Sequence, residues 1–258
     1  VLGAAATGPA VTLANPISPE RSIMRRSVLA SLVAAAHGNA SRGDTVRVFE
    51  LGTAFLPEAG SPFPNEARRL AIAVSGARNA ESVHGADTGS MDFYDLKGIA
   101  EGLLAGLRIS GVSFAPGAHE ALHPGKQARL LGHSGEEIGF LGELHPRRAA
   151  ALGETPRRIL LAEFDARILE NLARHTFKAR AIPRFPAARR DLAVVVPEAC
   201  PAGEVEAVLR EAGAPLLDAV SLFDLYRGEA LGEGFKSLAY ALDYLAADRT
   251  LTDKEVEQ

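Results

Sequence analysis

Three segments in the last third of the chain alternate large and small side chains, as strands with one buried face do. They span residues 191–196, 220–228 and 235–245; a helical pattern separates the first two, and another follows the third. Side chains of a strand point alternately to opposite faces, so the large residues of the first and third segments can share one side of a sheet. The pattern predicts a strand–helix–strand–strand–helix unit whose two helices cover that side.

The other side of this predicted sheet has few large side chains, and we call it the thinly clad face. Its first and third strands contribute the small residues Ala193, Ser237 and Ala239, and its second strand contributes Asp224 and Tyr226. An aromatic ring and a carboxylate among small side chains suit an unstacked nucleobase better than a hydrophobic core. We therefore predict a base-binding surface on this face.

The second strand fits the alternation only in part. Val220 and Leu222 have the same parity as Asp224, so we expect another part of the protein to cover that end of the strand. The alternative for Tyr226 is a strand-end aromatic in a small apolar cluster, because aromatic residues are common in strands generally.

Charge does not indicate a general nucleic-acid binder, but it is unevenly distributed. The formal net charge is −4, whereas residues 174–190 contain six Lys or Arg and no acid. On charge alone this run is a solvated linker; beside the thinly clad face it becomes a plausible phosphate contact. Pro183 and Pro186 disfavour helix in the residues before them, which marks a domain boundary here.

The part before this boundary mixes strands and helices. Strands outnumber helices that could act as crossovers, which favours an antiparallel α+β module over a doubly wound sheet. The predicted helices are residues 22–36, 95–107 and 166–174, and the predicted strands are residues 46–56, 69–75, 128–131, 137–144 and 159–164.

No catalytic constellation is recognisable in this module. Gly125-Lys126 lacks the earlier Gly and the following Ser or Thr of a phosphate-binding loop. Residues 132–135, GHSG, are one residue short of a nucleophile elbow. The histidines at 119, 123, 133 and 145 have no Cys or carboxylate at ligand spacing, so we expect loop hydrogen bonds in place of a metal site. Cys200 is the only cysteine, which excludes an internal disulfide and fits a reducing compartment.

Both ends of the chain suggest a fragment of a longer protein. The sequence begins at Val1 without Met, and residues 252–255 match a capping box that opens a helix about one turn before the end. No apolar run is long enough to span a bilayer, and the first residues lack the basic start of a signal peptide. We expect no association with membranes.

Nine short blocks of residues follow one another along almost the whole chain. The blocks are Asn15-Pro16-Ile17-Ser18 with Met24-Arg25, Phe49-Glu50-Leu51-Gly52, Phe93-Tyr94-Asp95-Leu96-Lys97-Gly98, Leu122-His123-Pro124-Gly125, Leu141-Gly142-Glu143-Leu144-His145-Pro146, Phe185-Pro186 with Arg190-Asp191-Leu192, Phe223-Asp224-Leu225-Tyr226-Arg227-Gly228, Lys236-Ser237-Leu238, and Arg249-Thr250-Leu251-Thr252-Asp253. Each block is weak by itself, and their order and spacing make the signal specific. Together the blocks resemble the C-terminal third of the β subunit of bacterial phenylalanyl-tRNA synthetase.

The resemblance implies an α+β fold in two modules. Residues 1–178 are expected to form a class II synthetase-like antiparallel sheet module, and residues 183–258 a ferredoxin-like βαββα domain that binds the anticodon. The implied setting is a cytoplasmic α2β2 ligase in which this chain scaffolds the catalytic α subunit, binds tRNA(Phe) and is itself non-catalytic. ATP and Mg²⁺ are implied for the complete enzyme, so no cofactor or metal is expected in this fragment.

The resemblance also carries over individual contacts. The positions that match contacts to anticodon bases are Ala193, Asp224, Tyr226 and Ser237. All four lie on the thinly clad face. Candidates for contacts to the RNA backbone are Arg184, Arg190 and Lys236, although such residues are more often plain surface charges.

Two other functions stay open at this point. The thinly clad face could dock another protein in place of RNA, which would make the chain a structural module. The first module could also contain an unrecognised active site, which would make the chain an enzyme in its own right.

Overall fold

The computed structural model describes residues 9–19, 22–40, 45–153, 158–174, 176 and 182–256. The chain divides into two compact units, Val1–Phe177 (unit 1) and Lys178–Gln258 (unit 2). Both units combine helices with antiparallel sheets, which confirms the predicted α+β class.

Unit 1 is built on a six-stranded antiparallel sheet with the strand order β1-β2-β6-β5-β4-β3. Its strands are β1 (Thr45–Leu56), β2 (Asn65–Gly76), β3 (Ser113–Pro116), β4 (Leu122–Leu131), β5 (Glu137–Leu144) and β6 (Ile159–Asp165). Its helices are α1 (Leu29–Ala40), α2 (Phe93–Gly106), α3 (Pro146–Ala150) and α4 (Ala166–Leu172).

Helices cover both faces of this sheet, and β6 runs through the middle of the core. On one face, Ile159 and Leu161 pack in a cluster with the apolar side of α1. On the other face, Leu160 and Phe164 pack in a cluster with α2 and α4. This two-sided burial explains why β6 is a nearly continuous apolar run in the sequence.

The first helix begins seven residues later than its periodicity predicts. Ile23 forms an isolated bridge with Thr12, so the chain before α1 is extended. The buried carboxylate of Glu163 then accepts hydrogen bonds from Ser27 Oγ at 2.6 Å and from Val28 N at 3.0 Å. Burial raises the pKa of Glu163 above its ordinary value. A tertiary contact, which helical periodicity does not contain, therefore sets the start of α1.

Unit 2 is a three-stranded antiparallel sheet with the order β7-β9-β8, preceded and followed by short irregular segments. Its elements are β7 (Ala188–Pro197), α5 (Ala202–Ala212), β8 (Leu217–Tyr226), a 3-10 turn (Glu229–Leu231), β9 (Phe235–Tyr244) and α6 (Asp253–Val256). The sequence predicts this strand–helix–strand–strand–helix order correctly.

The core of unit 2 lies on one side of its sheet. Leu238, Tyr240 and Leu242 of β9 are buried there against Val205 and Leu209 of α5. The Tyr240 hydroxyl donates to Ala202 O at 2.8 Å, so its one polar atom is satisfied. We call this side the helix face and the opposite side the open face.

A β-bulge in β8 corrects the prediction that another part of the protein covers the start of that strand. Leu222 pairs with Tyr240, and Asp224 pairs with Ala239, so β8 has one extra residue, Phe223, between them. An extra residue reverses the alternation beyond it. Val220 and Leu222 therefore lie on the helix face, while Asp224 lies on the open face.

The predicted hairpin is the pair β4–β5, although β4 begins at Leu122 and not at residue 128 as predicted. The remaining predicted elements of unit 1 agree with the structure within a few residues. The short β3 and α3 were not predicted. In the described ranges no helix combines the length and the apolar character that a membrane crossing needs.

Candidate nucleic-acid interface

The open face brings the four predicted base contacts together on two neighbouring rows across the sheet. Strand pairing aligns Ala193 with Ala239 and Asp224, which form the Asp224 row. It aligns Val195 with Ser237 and Tyr226, which form the Tyr226 row. The rows are two residues apart along each strand, which corresponds to about 6.6 Å.

Both rows are accessible. Tyr226 is 49 % exposed, Asp224 and Ala193 are exposed, and Ser237 and Ala239 are half-buried. Ser237 and Ala239 of the central strand β9 are small, so the surface there is lower than at Tyr226 and Asp224 on β8. A flat ring can therefore approach the backbone between Ala193 and the β8 edge.

Tyr226 is held next to a glycine. A Cβ atom at Gly228 would overlap the Tyr226 hydroxyl oxygen and lie 2.5 Å from its Cζ. The Gly228 backbone is extended, with φ −169°, a conformation that any residue adopts. The glycine is thus required by the position of the tyrosine ring and not by the backbone.

Asp224 is oriented by its own strand. Its Oδ1 accepts a hydrogen bond from Leu225 N at 2.9 Å, next to the bulge. An ionised carboxylate has two oxygens and about four acceptor positions, so one such bond leaves acceptor capacity for a ligand. The group can receive two donors from the edge of a base.

Two of the three predicted phosphate contacts lie on the wrong side of the sheet. Lys236 has the parity of Leu238, is only 8 % exposed, and donates from Nζ to Glu198 O at 2.8 Å. Arg190 pairs with Leu242 on the helix face and forms an ion pair with Asp253 of α6. Both cations serve the fold of unit 2, and their residue type alone could not reveal this. Arg184 is exposed.

The charge of the open face is negative along its described strands. Its one cation, Arg189, lies 4.0 Å from both Asp191 and Asp243, and Asp224 adds a third carboxylate. Beyond the Tyr226 row, Arg227 is bound to Glu198 at 2.7 Å, and this contact lowers the pKa of Glu198. This surface is therefore better suited to bases than to phosphates.

Two apolar members of this surface are not among the predicted base contacts. Val195 is 56 % exposed in the Tyr226 row, and Phe235, at the start of β9, is 47 % exposed. The parity of Val195 and Phe235 was visible in the sequence. Their proximity to Tyr226 was not, because it depends on the strand order and register.

Unit 1 has an exposed apolar surface of its own on the edge strand β1. Phe49 is 75 % exposed and pairs with Ile72, and the exposed Leu51 pairs with Leu70. Ile72 and Leu70 pack against the core cluster of α2 and α4, so Phe49 and Leu51 extend that apolar face to the edge of the sheet. Exposed apolar residues on an edge strand are typical of a protein–protein contact.

Two of the nine sequence blocks meet beside this strand. Arg25 ion-pairs with Glu50 at 2.5 Å and donates from Nε to Thr53 O at 2.9 Å. A Cβ atom at Gly52 would overlap Arg25 Nη2, so this glycine makes room for the arginine. Through these contacts of Arg25, the segment before α1 is bound to β1.

Three of the four histidines for which loop hydrogen bonds are predicted make them. The Nδ1 atoms of His119, His123 and His145 each accept from the backbone N–H two residues later, at 3.2, 3.0 and 3.1 Å. His119 also stacks on Phe140, and burial lowers its pKa. In the part of the chain that the structure describes, no three His, Cys, Asp or Glu side chains form a cluster that could hold a metal ion.

Two family profiles match the chain, one in each unit. Residues 3–166 match the profile described as "Phenylalanyl tRNA synthetase beta chain CLM domain", and residues 183–258 match "Ferredoxin-fold anticodon binding domain". The fold of unit 2 and its match define a ferredoxin-fold domain of the anticodon-binding domain family, which places the chain in the aminoacyl-tRNA synthetase class. The chain belongs to the phenylalanyl-tRNA synthetase β chain family, and the resemblance of its nine sequence blocks is confirmed.

Curated relatives are similar over nearly the whole chain. The phenylalanine–tRNA ligase β subunit of Moorella thermoacetica is 46 % identical over 248 residues, which cover 95 % of this chain and 30 % of the relative. The β subunit of Bacillus thuringiensis subsp. konkukian is 40 % identical over 253 residues, with 96 % and 30 % covered. The β subunit of Symbiobacterium thermophilum is 40 % identical over 248 residues, with 96 % and 28 % covered. The chain therefore spans less than a third of the length of these relatives.

Proposed function

We propose that this chain binds the anticodon of tRNA(Phe) through the open face of unit 2, as part of a phenylalanine–tRNA ligase. One observation carries the proposal: Ala193, Asp224, Ser237 and Tyr226 lie on two adjacent rows of an exposed, thinly clad sheet face. The match of unit 2 to a ferredoxin-fold anticodon-binding domain supports the same function.

Each of the four side chains has a distinct role in this proposal. The ring of Tyr226 receives an unstacked base, and Asp224 accepts from the N1–H and N2–H₂ groups of a guanine. Ser237 pairs with Tyr226 on the neighbouring strand and offers a hydroxyl that both donates and accepts. Ala193 keeps the surface low, because a larger side chain there would hold the base away from Asp224.

Unit 1 has a scaffolding role in the same proposal. Its exposed residues Phe49 and Leu51 form a surface for the catalytic α subunit of an α2β2 ligase. The chain itself carries out no chemistry, and ATP and Mg²⁺ act in the complete enzyme. Exposed apolar residues at the sheet edge support this part, since such patches mark protein contacts.

The substitution Tyr226→Ala in the complete α2β2 ligase tests anticodon binding. We expect the dissociation constant for tRNA(Phe) to rise about 5- to 100-fold, because base–aromatic stacking contributes roughly 1–3 kcal/mol. Tyr226→Phe retains the ring and should stay close to the wild type. Fluorescence anisotropy with labelled tRNA measures the affinity, and sedimentation velocity measures the association of α and β.

A matched control is Val208→Ala, which truncates a 64 % exposed apolar residue on α5. It should leave both measurements unchanged. Unchanged tRNA affinity in Tyr226→Ala contradicts the proposed site. If that variant weakens subunit association instead, the open face docks a protein.

A further inference from the structure

The apolar end of the open face contains an aromatic residue that the core of unit 2 does not use. Phe235 is the first residue of β9 and has the parity of Ser237, so it lies on the open face. It is 47 % exposed and is not a member of the apolar cluster on the helix face. Burial in the described part of unit 2 does not account for a large apolar side chain here.

Phe235 is a close neighbour of the proposed base-binding ring. Tyr226 pairs with Ser237, and Phe235 precedes Ser237 by two residues, so Tyr226 and Phe235 are diagonal neighbours. Diagonal neighbours in an antiparallel pair are roughly 7–8 Å apart, within reach of aromatic side chains. Val195, directly opposite Ser237 on the other side, is the second diagonal neighbour of Phe235.

The chemistry of this end favours a base over a charged group. Val195, Phe235, Pro197 and Ser237 are uncharged, and the cation next to Tyr226, Arg227, is bound to Glu198 by two nitrogens. A nucleobase is a flat ring with polar edges, which fits apolar side chains around one hydroxyl. Tyr226 and Phe235 lie side by side on one sheet face, and aromatic residues arranged in this way can each stack a separate unstacked base.

We propose that Phe235 is a second stacking platform, which receives the nucleotide next to the one on Tyr226. The inference rests on the proposed anticodon function and extends it from one stacked base to two. Val195 flanks the second base, and the hydroxyl of Ser237 lies where it can reach the edge of either base. Sequence-tolerant stacking at Phe235 then adds affinity, while Asp224 discriminates at the first base.

The test is a set of double-mutant cycles between protein and RNA in the complete α2β2 ligase. The protein variants are Phe235→Ala, Phe235→Leu, Phe235→Trp and Tyr226→Ala, with Val208→Ala as the control. The RNA probes are tRNA(Phe) and three derivatives, each with one anticodon base replaced by an abasic site. Thermal unfolding of each variant verifies that the fold is intact.

We expect Phe235→Ala and Phe235→Leu to weaken binding of intact tRNA about 5- to 50-fold, and Phe235→Trp to retain it. The loss at Phe235 should disappear with one abasic tRNA, and the loss at Tyr226 with the abasic tRNA of the adjacent position. Such non-additivity identifies the base that each ring contacts.

Other outcomes overturn the inference in distinguishable ways. If Tyr226→Ala couples to a base and Phe235→Ala does not, the second platform is wrong and the anticodon site stands. If both variants couple to the same base, one base uses both rings, and the second platform is again wrong. If neither variant couples to any base, the proposed function fails as well.

Discussion

The ring of Tyr226 occupies the space that a side chain at Gly228 would need. The backbone at Gly228 tolerates any residue, so its small size matters only through this ring. On the same surface, Asp224 is oriented by the N–H of Leu225, and Ala193 is small where a base must approach. At the residue scale, the candidate site therefore depends on the small size of Gly228 and Ala193 as well as on the groups that could contact a base.

The substitution Gly228→Ala should displace the Tyr226 ring without unfolding the protein. We expect tRNA affinity to fall by up to about tenfold, as stacking is partly lost. The unfolding free energy should change by less than about 0.5 kcal/mol, because the ring end is exposed and can move. Anisotropy binding and urea denaturation check the two expectations.

The control for this glycine is Gly203→Ala in α5, where a Cβ atom would meet no atom within 4 Å. Alanine should stabilise that helix by about 0.5–1 kcal/mol and leave tRNA affinity unchanged. A Gly228→Ala variant with wild-type affinity would show that the ring position is not important for binding.

At the scale of the elements, both candidate surfaces are formed by edge strands. β8 is an edge strand with a bulge, and the bulge turns Asp224 and Tyr226 outward. β1 is an edge strand of unit 1, and it exposes Phe49 and Leu51 beside the cluster of α2 and α4. Central strands of both sheets supply the buried residues that support these edges.

The substitution Phe49→Asp should weaken the association of this chain with the α subunit. A buried contact residue of this size typically contributes about 2 kcal/mol or more, which corresponds to about a 30-fold loss of affinity. The stability of unit 1 should change little, because Phe49 is largely exposed in the described structure. Analytical ultracentrifugation of α with the variant chain measures the association.

Val83→Asp is the matched control, since Val83 is 97 % exposed in the connection between β2 and α2. It introduces the same charge into unit 1 and should leave association unchanged. Equal effects of both variants would indicate a general charge effect and contradict a docking role of β1.

At the scale of the whole molecule, the distribution of charge indicates which kind of RNA contact the proposed function would use. The described open face has one cation and three carboxylates, while Lys236 and Arg190 are committed to the helix face. Base contacts confer specificity, and phosphate contacts confer salt-dependent affinity. We infer that unit 2 reads bases and that other parts of the assembly hold most of the RNA backbone.

Salt dependence checks this inference. Plots of the logarithm of the tRNA binding constant against that of salt concentration should be parallel for the wild type and Tyr226→Ala, since no phosphate contact is lost. Arg184→Ala should lower the slope by about 0.7–0.9 if Arg184 neutralises one phosphate. A shallower slope in Tyr226→Ala would mean that the open face also holds the backbone.

Alternation of large and small residues was enough to predict the two faces of β7 and β9, and with them the positions of Ala193 and Ser237. These predictions depend on side-chain parity, which is a local property of the chain. The nine ordered blocks also indicated the family without any structure. Helix starts were less predictable, as α1 shows, because the buried carboxylate of Glu163 in β6 accepts hydrogen bonds from Ser27 Oγ and Val28 N just before the helix.

Tertiary structure alone decided the side on which each remaining group lies. Asp224 and Tyr226 face outward with Val220 and Leu222 inward only because β8 has a bulge opposite β9. Lys236 and Arg190 resemble phosphate contacts in the sequence, but strand pairing turns them toward the helices. Phe235 approaches Tyr226 because β9 lies between β7 and β8. Register, bulges and strand order arise from contacts between segments distant in the chain, and no local pattern encodes them.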